Sequence, residues 1–449
     1  MQNICKNANN NCNSAIICMR GGVFRMLLQF TVENFKSIKN PVTLSMVASK
    51  GKEHQSSLIG FSKEKVLPSV AIYGANASGK SNVLKALSAA LIIIRTSNRR
   101  QITDKMGLIV PFKFDKNTVA KPTVFDFIFV FNGRKYQYGF SADIDRIYTE
   151  YLYEYKTAKP SMVFTRENTT EYSFTKADEK EFDGYRLRTT ENKLFLSTAT
   201  EWNCEKTKDP FLWFGKEIDT YDGASIDSLS GPSLAMIDAQ KEDKDFVHFM
   251  NEMLREADIN ISNYDVKTSE MAKDKLPSFQ LPPGVEIKDE FFANMKNIEI
   301  TTHHNIAEGK QTRDYELSFD EESMGTHKYF LYTPVILNAL REGRTIVIDE
   351  IDSSLHPLLI NYLISLFSDR SINRNNAQLI CTTHEVSLLN LDVFRRDQVY
   401  FTEKDNSTGI TDLYSLDEYS PRKSENIRKG YLQGRYGAIP YVGAGDLKW

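Results

Sequence analysis

Gly74-Ala75-Asn76-Ala77-Ser78-Gly79-Lys80-Ser81 constrains this chain more than any other stretch. It fits G-x-x-x-x-G-K-[ST], a pattern that works only where a buried strand turns sharply into a helix. Val70-Ala71-Ile72-Tyr73 supplies the strand. Asn82 to Arg95 supplies the helix, with Val83, Leu84, Leu87, Leu91 and Ile94 at helical spacing. The glycines let backbone N–H groups converge on phosphate oxygens at a helix N-terminus. Gly74, Asn76, Ala77, Ser78, Gly79, Lys80 and Ser81 are therefore the expected phosphate-binding residues. Lys80 is expected to reach the terminal phosphates of a nucleotide, and the Ser81 hydroxyl to ligate Mg²⁺. The bland alternative is a Gly-rich strand-to-helix turn.

A second motif lies far along the chain. Thr345-Ile346-Val347-Ile348-Asp349-Glu350 is an apolar run ending in two acids. Asp349 suits coordination of Mg²⁺, directly or through water, and Glu350 is placed to orient and deprotonate an attacking water. Thirty-five residues beyond Asp349, Leu379-Ile380-Cys381-Thr382-Thr383 runs into His384. A His at that strand's carboxyl end can touch a γ-phosphate, because ligands bind at that edge of open α/β sheets. Glu322-Ser323-Met324-Gly325-Thr326 opens the helix before the acidic strand, with Ser323 26 residues before Asp349. A small-residue helix N-terminus there is a second anion site, read on Ser323 and Gly325. Leu229-Ser230-Gly231 looks similar but lies 119 residues before Asp349, and Pro232 gives it the context of a loop.

Composition sets the frame. In 449 residues, 56 Lys+Arg face 59 Asp+Glu, a net charge of −3, which excludes a histone-like binder. No apolar run approaches the roughly 18 residues of a membrane span. Five scattered cysteines make no disulfide framework, so a cytoplasmic, reduced protein is expected. Residues 1–25 are Asn-rich, hold Cys5, Cys12 and Cys18 and contain no acid. They are read as a disordered or non-native leader, with Met26 as the start. Residues 26–110 are read as the N-terminal half of an α/β domain. Residues 111–310 are a beta-rich region plus helical insertion, including an Asn132-Gly133 hairpin and a loop at Leu281-Pro282-Pro283-Gly284. Residues 311–449 are the C-terminal half. No sustained heptads predict coiled-coil arms.

These motifs together resemble the ABC-like ATPases that include SMC proteins, SbcC-type repair ATPases and OLD-family proteins. Phe30-Thr31-Val32-Glu33-Asn34-Phe35-Lys36-Ser37 resembles that group's first strand. Asp349-Glu350-Ile351-Asp352-Ser353-Ser354-Leu355-His356-Pro357 is similar to the OLD-like branch, since transporters usually carry Asp where His356 stands. The closest resemblance is to stand-alone bacterial ATPases of the RloA and AbiL kind, from Met26 to the tail around Gly434-Arg435-Tyr436-Gly437.

The resemblance implies an α/β P-loop NTPase of the ABC/SMC-head type. It implies ATP and Mg²⁺ as cofactors, and catalysis by Glu350 and His384. It implies two subunits sandwiching two nucleotides, Ser323 and Gly325 facing the partner's γ-phosphate. It implies antiphage defence or abortive infection, with a separately encoded, nuclease-like effector. Only 65 residues follow His384, and they hold no Toprim-like constellation. DNA-repair or chromosome-maintenance ATPase is the alternative, and transporter subunit a weaker one. The Q-loop glutamine stays open between Gln101 and Gln137. Arg95, Arg99 and Arg100, and Arg422, Lys423, Arg428 and Lys429, are two basic clusters that leave DNA or RNA open as a ligand.

Overall fold

The computed structural model describes residues 24–257, 259–270, 296–422 and 424–440. Most of the expected leader, the loop at Leu281 to Gly284, and Lys423 lie outside them. Phe24 already packs on the core, and Arg25 opens the first strand with an ion pair to Glu217 (3.1 Å).

The chain begins with β1 (Arg25–Glu33) and β2 (Val42–Ser45), then a small hairpin, β3 (Ile59–Phe61) and β4 (Glu64–Val66). β5 (Ser69–Gly74) leads through the Gly-rich loop into α1 (Lys80–Thr96). A meander follows: β6 (Thr123–Phe131), β7 (Arg134–Ala142), β8 (Ile147–Tyr155), β9 (Ser161–Glu167) and β10 (Glu171–Phe174). Helices α2 (Glu179–Arg186), α3 (Phe195–Glu201) and α4 (Glu205–Lys216) lead to β11 (Ile218–Asp222). Then come α5 (Ile226–Gln240), α6 (Lys244–Glu256) and the strands β12 (Asn263–Glu270), β13 (Lys296–Glu308) and β14 (Gln311–Ser318). The last part holds α7 (Met324–Glu342), β15 (Thr345–Asp349), α8 (Pro357–Ser368), β16 (Gln378–Thr382), β17 (Val399–Lys404) and β18 (Thr411–Ser415).

Two large sheets make the body. One is antiparallel, in the order β10-β9-β8-β7-β6-β1-β2. The other runs β11-β15-β16-β5-β17-β18 and is parallel except for β18. Both faces of the parallel sheet are covered, as such sheets require. Val70, Ile72, Val347 and Ile380 point into a core shared with α1 and the antiparallel sheet. Ala71, Tyr73, Ile346, Ile348, Leu379 and Cys381 alternate with them into a second core, built with α5, α6, α7 and α8. This is the expected α/β P-loop fold.

The sheets cut across the expected domain limits at 111 and 310. β1, from the N-terminal half, pairs along its length with β6. β11, inside the expected insertion, is the edge strand of the parallel sheet beside β15. Its half-exposed Asp219 and Thr220 hide it from a search for continuous apolar runs. Leu229-Ser230-Gly231 corrects another expectation. It lies in α5, not in a loop, because Ser225 caps that helix by accepting from Ser228 N–H (3.3 Å). Pro232 sits in its second turn without breaking it.

Polar side chains help to stitch the two large sheets: the Tyr400 hydroxyl on β17 bonds Ser45 N–H on β2 (3.2 Å), and Gln378 reaches β1. Gln378 on β16 is fully buried, its Oε1 accepting from Leu27 N–H (2.7 Å). Its Nε2 donates to the carbonyls of Leu27 (3.1 Å) and Leu67 (3.2 Å). Leu27 adjoins a register shift in the β1–β6 ladder, where backbone groups need other partners.

Candidate functional site

β5 emerges in the middle of the parallel sheet, flanked by β16 and β17, so its loop is aimed from a rigid base. The loop is shaped by contacts only glycine allows. A Cβ at Gly74 would lie 2.5 Å from both Ser78 Oγ and Thr402 Oγ1. Gly79 has φ +107°, and a Cβ there would press on Thr411. Ser78 is held from behind: its hydroxyl bonds Thr402 Oγ1 (2.7 Å), and its carbonyl accepts from Thr411 Oγ1 (2.9 Å). Asn76 and Ala77 form the exposed tip. Lys80 is buried and folds back on the loop, its Nζ donating to the Gly74 carbonyl (2.8 Å) and the Ala75 carbonyl (3.2 Å). Burial pushes its ammonium down to about 8, against the opposing pull of Glu350, Asp352 and Asp349. Those carboxylates therefore stand within electrostatic reach of Lys80.

Asp349 closes β15 and is 8% exposed. Thr382, at the end of the neighbouring β16, donates its hydroxyl to Asp349 Oδ1 (2.6 Å). Thr382 Oγ1 in turn accepts from the Glu350 backbone N–H (2.7 Å). Glu350 has φ +53°, a left-handed conformation unusual for a residue with a side chain. One threonine thus fixes the Asp349 carboxylate and the backbone that turns Glu350 away from the strand. Asp352 follows, its Oδ2 accepting from the His384 backbone N–H (2.8 Å) and its Oδ1 buried with no partner among the described residues. His384 presents an exposed ring. Desolvation and the Lys80 ammonium hold its pKa below the usual imidazole value, while Asp352, Glu350 and Asp349 oppose them.

Lys80, Asp349, Glu350 and His384 therefore share the carboxyl edge of the parallel sheet, which is the arrangement the motifs predict. Thr382 and Asp352 are the residues sequence reasoning passed over as functional. A hydroxyl at the end of the strand beside Asp349 was the available signal for the first.

Ser323 caps α7, accepting from Thr326 N–H (3.1 Å), and is exposed, as is Met324, while Gly325 is half-buried. A Cβ on Gly325 would lie 3.0 Å from the Ser354 carbonyl, so the helix start rests on the turn after Glu350. By contrast, the Ser230 hydroxyl is used inside its own helix, donating to the Ile226 carbonyl (2.8 Å). The Leu355-His356-Pro357 element is a helix start. Leu355 is buried, His356 Nδ1 accepts from Leu358 N–H (3.3 Å), and Pro357 takes the first position of α8.

Neither glutamine candidate reaches this site. Gln137 is on β7 and donates to Asp126 Oδ2 (2.9 Å). Gln101 follows the far end of α1, a helix of 17 residues and so about 25 Å long. The first basic cluster dissolves into internal bonding. Arg95 donates to the Phe214 carbonyl (2.7 Å), and Arg100 to the Ile93 carbonyl (3.0 Å), leaving Arg99 exposed. Arg422, Arg428 and Lys429 are exposed.

The donor set suits Mg²⁺. Ser81 offers a hydroxyl and Asp349 a carboxylate, hard oxygens that complement phosphate and water. Thr382 occupies only one Asp349 oxygen, and the Gly74 contacts show a cradle that a side chain would fill. Chemically, such a site can hold a polyphosphate and a divalent cation and present a carboxylate to water. Among the described residues, no helix is long and apolar enough to cross a membrane.

Comparison with known proteins adds three findings. The family described as “AAA domain, putative AbiEii toxin, Type IV TA system” matches residues 69–390. Among curated proteins, none matches significantly. Similar solved structures include an Smc head bound to the C-winged helix domain of ScpA, at 15% identity, covering 87% of this chain and 97% of that chain, with a TM-score of 0.39. An Smc head domain with an extended coiled coil, bound to the C-terminal domain of ScpA derived from Pyrococcus furiosus, gives 13%, 88%, 98% and 0.38. The recombination mediator RecF with ATP gives 12%, 88%, 99% and 0.34.

Proposed function

The chain belongs to the family “AAA domain, putative AbiEii toxin, Type IV TA system”, and from that premise we propose that it binds and hydrolyses ATP as an ABC-like ATPase. The observation that carries this reading is the convergence of Lys80 with Asp349 and Glu350 at one sheet edge, where their charges act on one another. On binding, Lys80 exchanges the carbonyls of Gly74 and Ala75 for terminal phosphate oxygens. Ser81 and Asp349 would hold Mg²⁺, which when bound neutralises phosphate charge. Glu350 takes a proton from water, whose oxygen bonds to the γ-phosphorus. The bond to the β-phosphate oxygen breaks, leaving ADP and phosphate, while His384 steadies the γ-phosphate.

The start of α7, with Ser323 and Gly325, is the face we assign to a second copy's nucleotide. Two chains then sandwich two ATP molecules. We place this ATPase in the cytoplasm, as a sensor or regulator in antiphage defence that controls a separately encoded, nuclease-like effector. The family's toxin–antitoxin description supports that role.

The test is Glu350→Gln. It is expected to retain ATP with turnover reduced at least about 100-fold, the scale of a lost general base, and to elute as a dimer with Mg·ATP. An unchanged monomer with and without Mg·ATP would count against the sandwich. Turnover stimulated by DNA would move the role towards repair.

A further inference from the structure

Lys328 lies on α7, five residues past Ser323, and is 2% exposed. A buried ammonium is costly unless its hydrogens are used. Its Nζ donates to the Gly223 carbonyl (2.7 Å) and to Ser353 Oγ (2.8 Å). Both partners are tied to the acidic pair. Ser353 N–H donates to the Glu350 carbonyl (3.0 Å), and Gly223 N–H donates to the Asp349 carbonyl (2.7 Å). One side chain thus grips, from both flanks, the backbone that carries Asp349 and Glu350. Gly325 adds a second point of contact between α7 and the same turn, through the Ser354 carbonyl. Burial lowers the Lys328 pKa, and the charges of Glu350, Asp222 and Asp352 push it back up. It has three N–H donors, and two have acceptors among the described residues.

We propose that Lys328 is a positioning residue for hydrolysis: through Ser353 and Gly223 it fixes the turn that aims Glu350, and so ties the seating of the α7 N-terminus to the readiness of the base. This rests on the ATPase reading above. Displacement of α7 by a nucleotide at Ser323 would be felt at Glu350 through these hydrogen bonds.

The experiment measures steady-state hydrolysis and equilibrium ATP binding with the full chain. Lys328→Met is expected to lower kcat about 30- to 100-fold, the scale of a misaimed reacting group. Its KM and its affinity for ATP should stay within about threefold. Lys328→Arg, which keeps the charge and donors, should recover part of the rate. Ser353→Ala, in a half-buried turn, should lower kcat about three- to tenfold, and the double variant should be no slower than Lys328→Met alone. Should Lys328→Met fail to fold, Ser353→Ala decides alone: unchanged kcat overturns the proposal. So does a normal kcat in Lys328→Met, a raised KM at unchanged kcat, or additive losses in the double variant. A wild-type chain without Mg²⁺-dependent turnover overturns the ATPase reading as well. Wild-type turnover matched by Lys328→Met overturns only the role of Lys328.

Discussion

The hydroxyl of Thr382 bridges Asp349 Oδ1 and the Glu350 N–H, both deep in the sheet edge. Replacing it with valine keeps the volume and removes both bonds. Thr382→Val should cost about 1–3 kcal/mol of stability, because two polar groups lose their partner, and lower kcat more than about tenfold. Thr382→Ser should stay close to wild type in both; denaturant melts and hydrolysis rates check this. Glycine identity matters equally at one position. Gly79→Ala should weaken ATP binding more than about tenfold, since φ is +107° and Thr411 blocks the space. Gly133→Ala, at φ +75° in an open hairpin turn, should leave binding unchanged; titration with a fluorescent nucleotide separates the two. Residues whose chemistry is set by sequence neighbours were readable beforehand, as with Lys80 in its loop. Lys328 and Asp352 were not, because their meaning comes from contacts made across 105 and 32 residues of chain.

Among elements, the β6–β7 hairpin shows what pattern alone can deliver. Phe125, Phe127 and Phe129 alternate inward, Asn132-Gly133 turns the chain, and the register follows. The small sheet β12-β13-β14 shows the opposite. Every residue of β14 is exposed, so no apolar period marks it. Tyr264 and Ile300 seat β12 and β13 on the second core, while polar contacts tie the strands together: His303 Nδ1 meets Asp314 Oδ2 (2.8 Å), and its Nε2 meets Asp265 Oδ2 (3.1 Å). Bonding to Asp314 and then Asp265 raises the His303 pKa above 6.5. A raised value means the protonated ring is favoured in the folded sheet. Its contribution is fully present below pH 6.5 and fades as pH rises through the raised value. His303→Gln should therefore accelerate limited proteolysis within β13 and β14 at pH 6, and make little difference at pH 9. His304 Nε2 lies 2.9 Å from Glu322 Oε1, the residue before Ser323, so loosening there would reach the start of α7.

At the scale of the whole molecule, the motif order gave the parallel sheet but not its neighbours. β11 and the β1–β6 pairing escaped because strand partners far apart in sequence leave no local period. Gln378 is one physical sign, beside the shared core, that the two large sheets are one unit. Gln378→Leu would take their side-chain partner from the Leu27 N–H and carbonyl, the Leu67 carbonyl and the buried Thr345 hydroxyl. The expected loss is about 2–5 kcal/mol in chemical denaturation. Wild type should melt in one transition and the variant earlier; two separated wild-type transitions would contradict a single unit.

β5 pairs on both sides, with β16 and with β17, and its six residues are all buried. Its amide hydrogens should be among the last to exchange with solvent, at the rate of global opening. The Gly-rich loop is thus anchored to the slowest clock in the chain. On the proposed function, nucleotide arrival and departure on any faster timescale would be timed by the pieces around it.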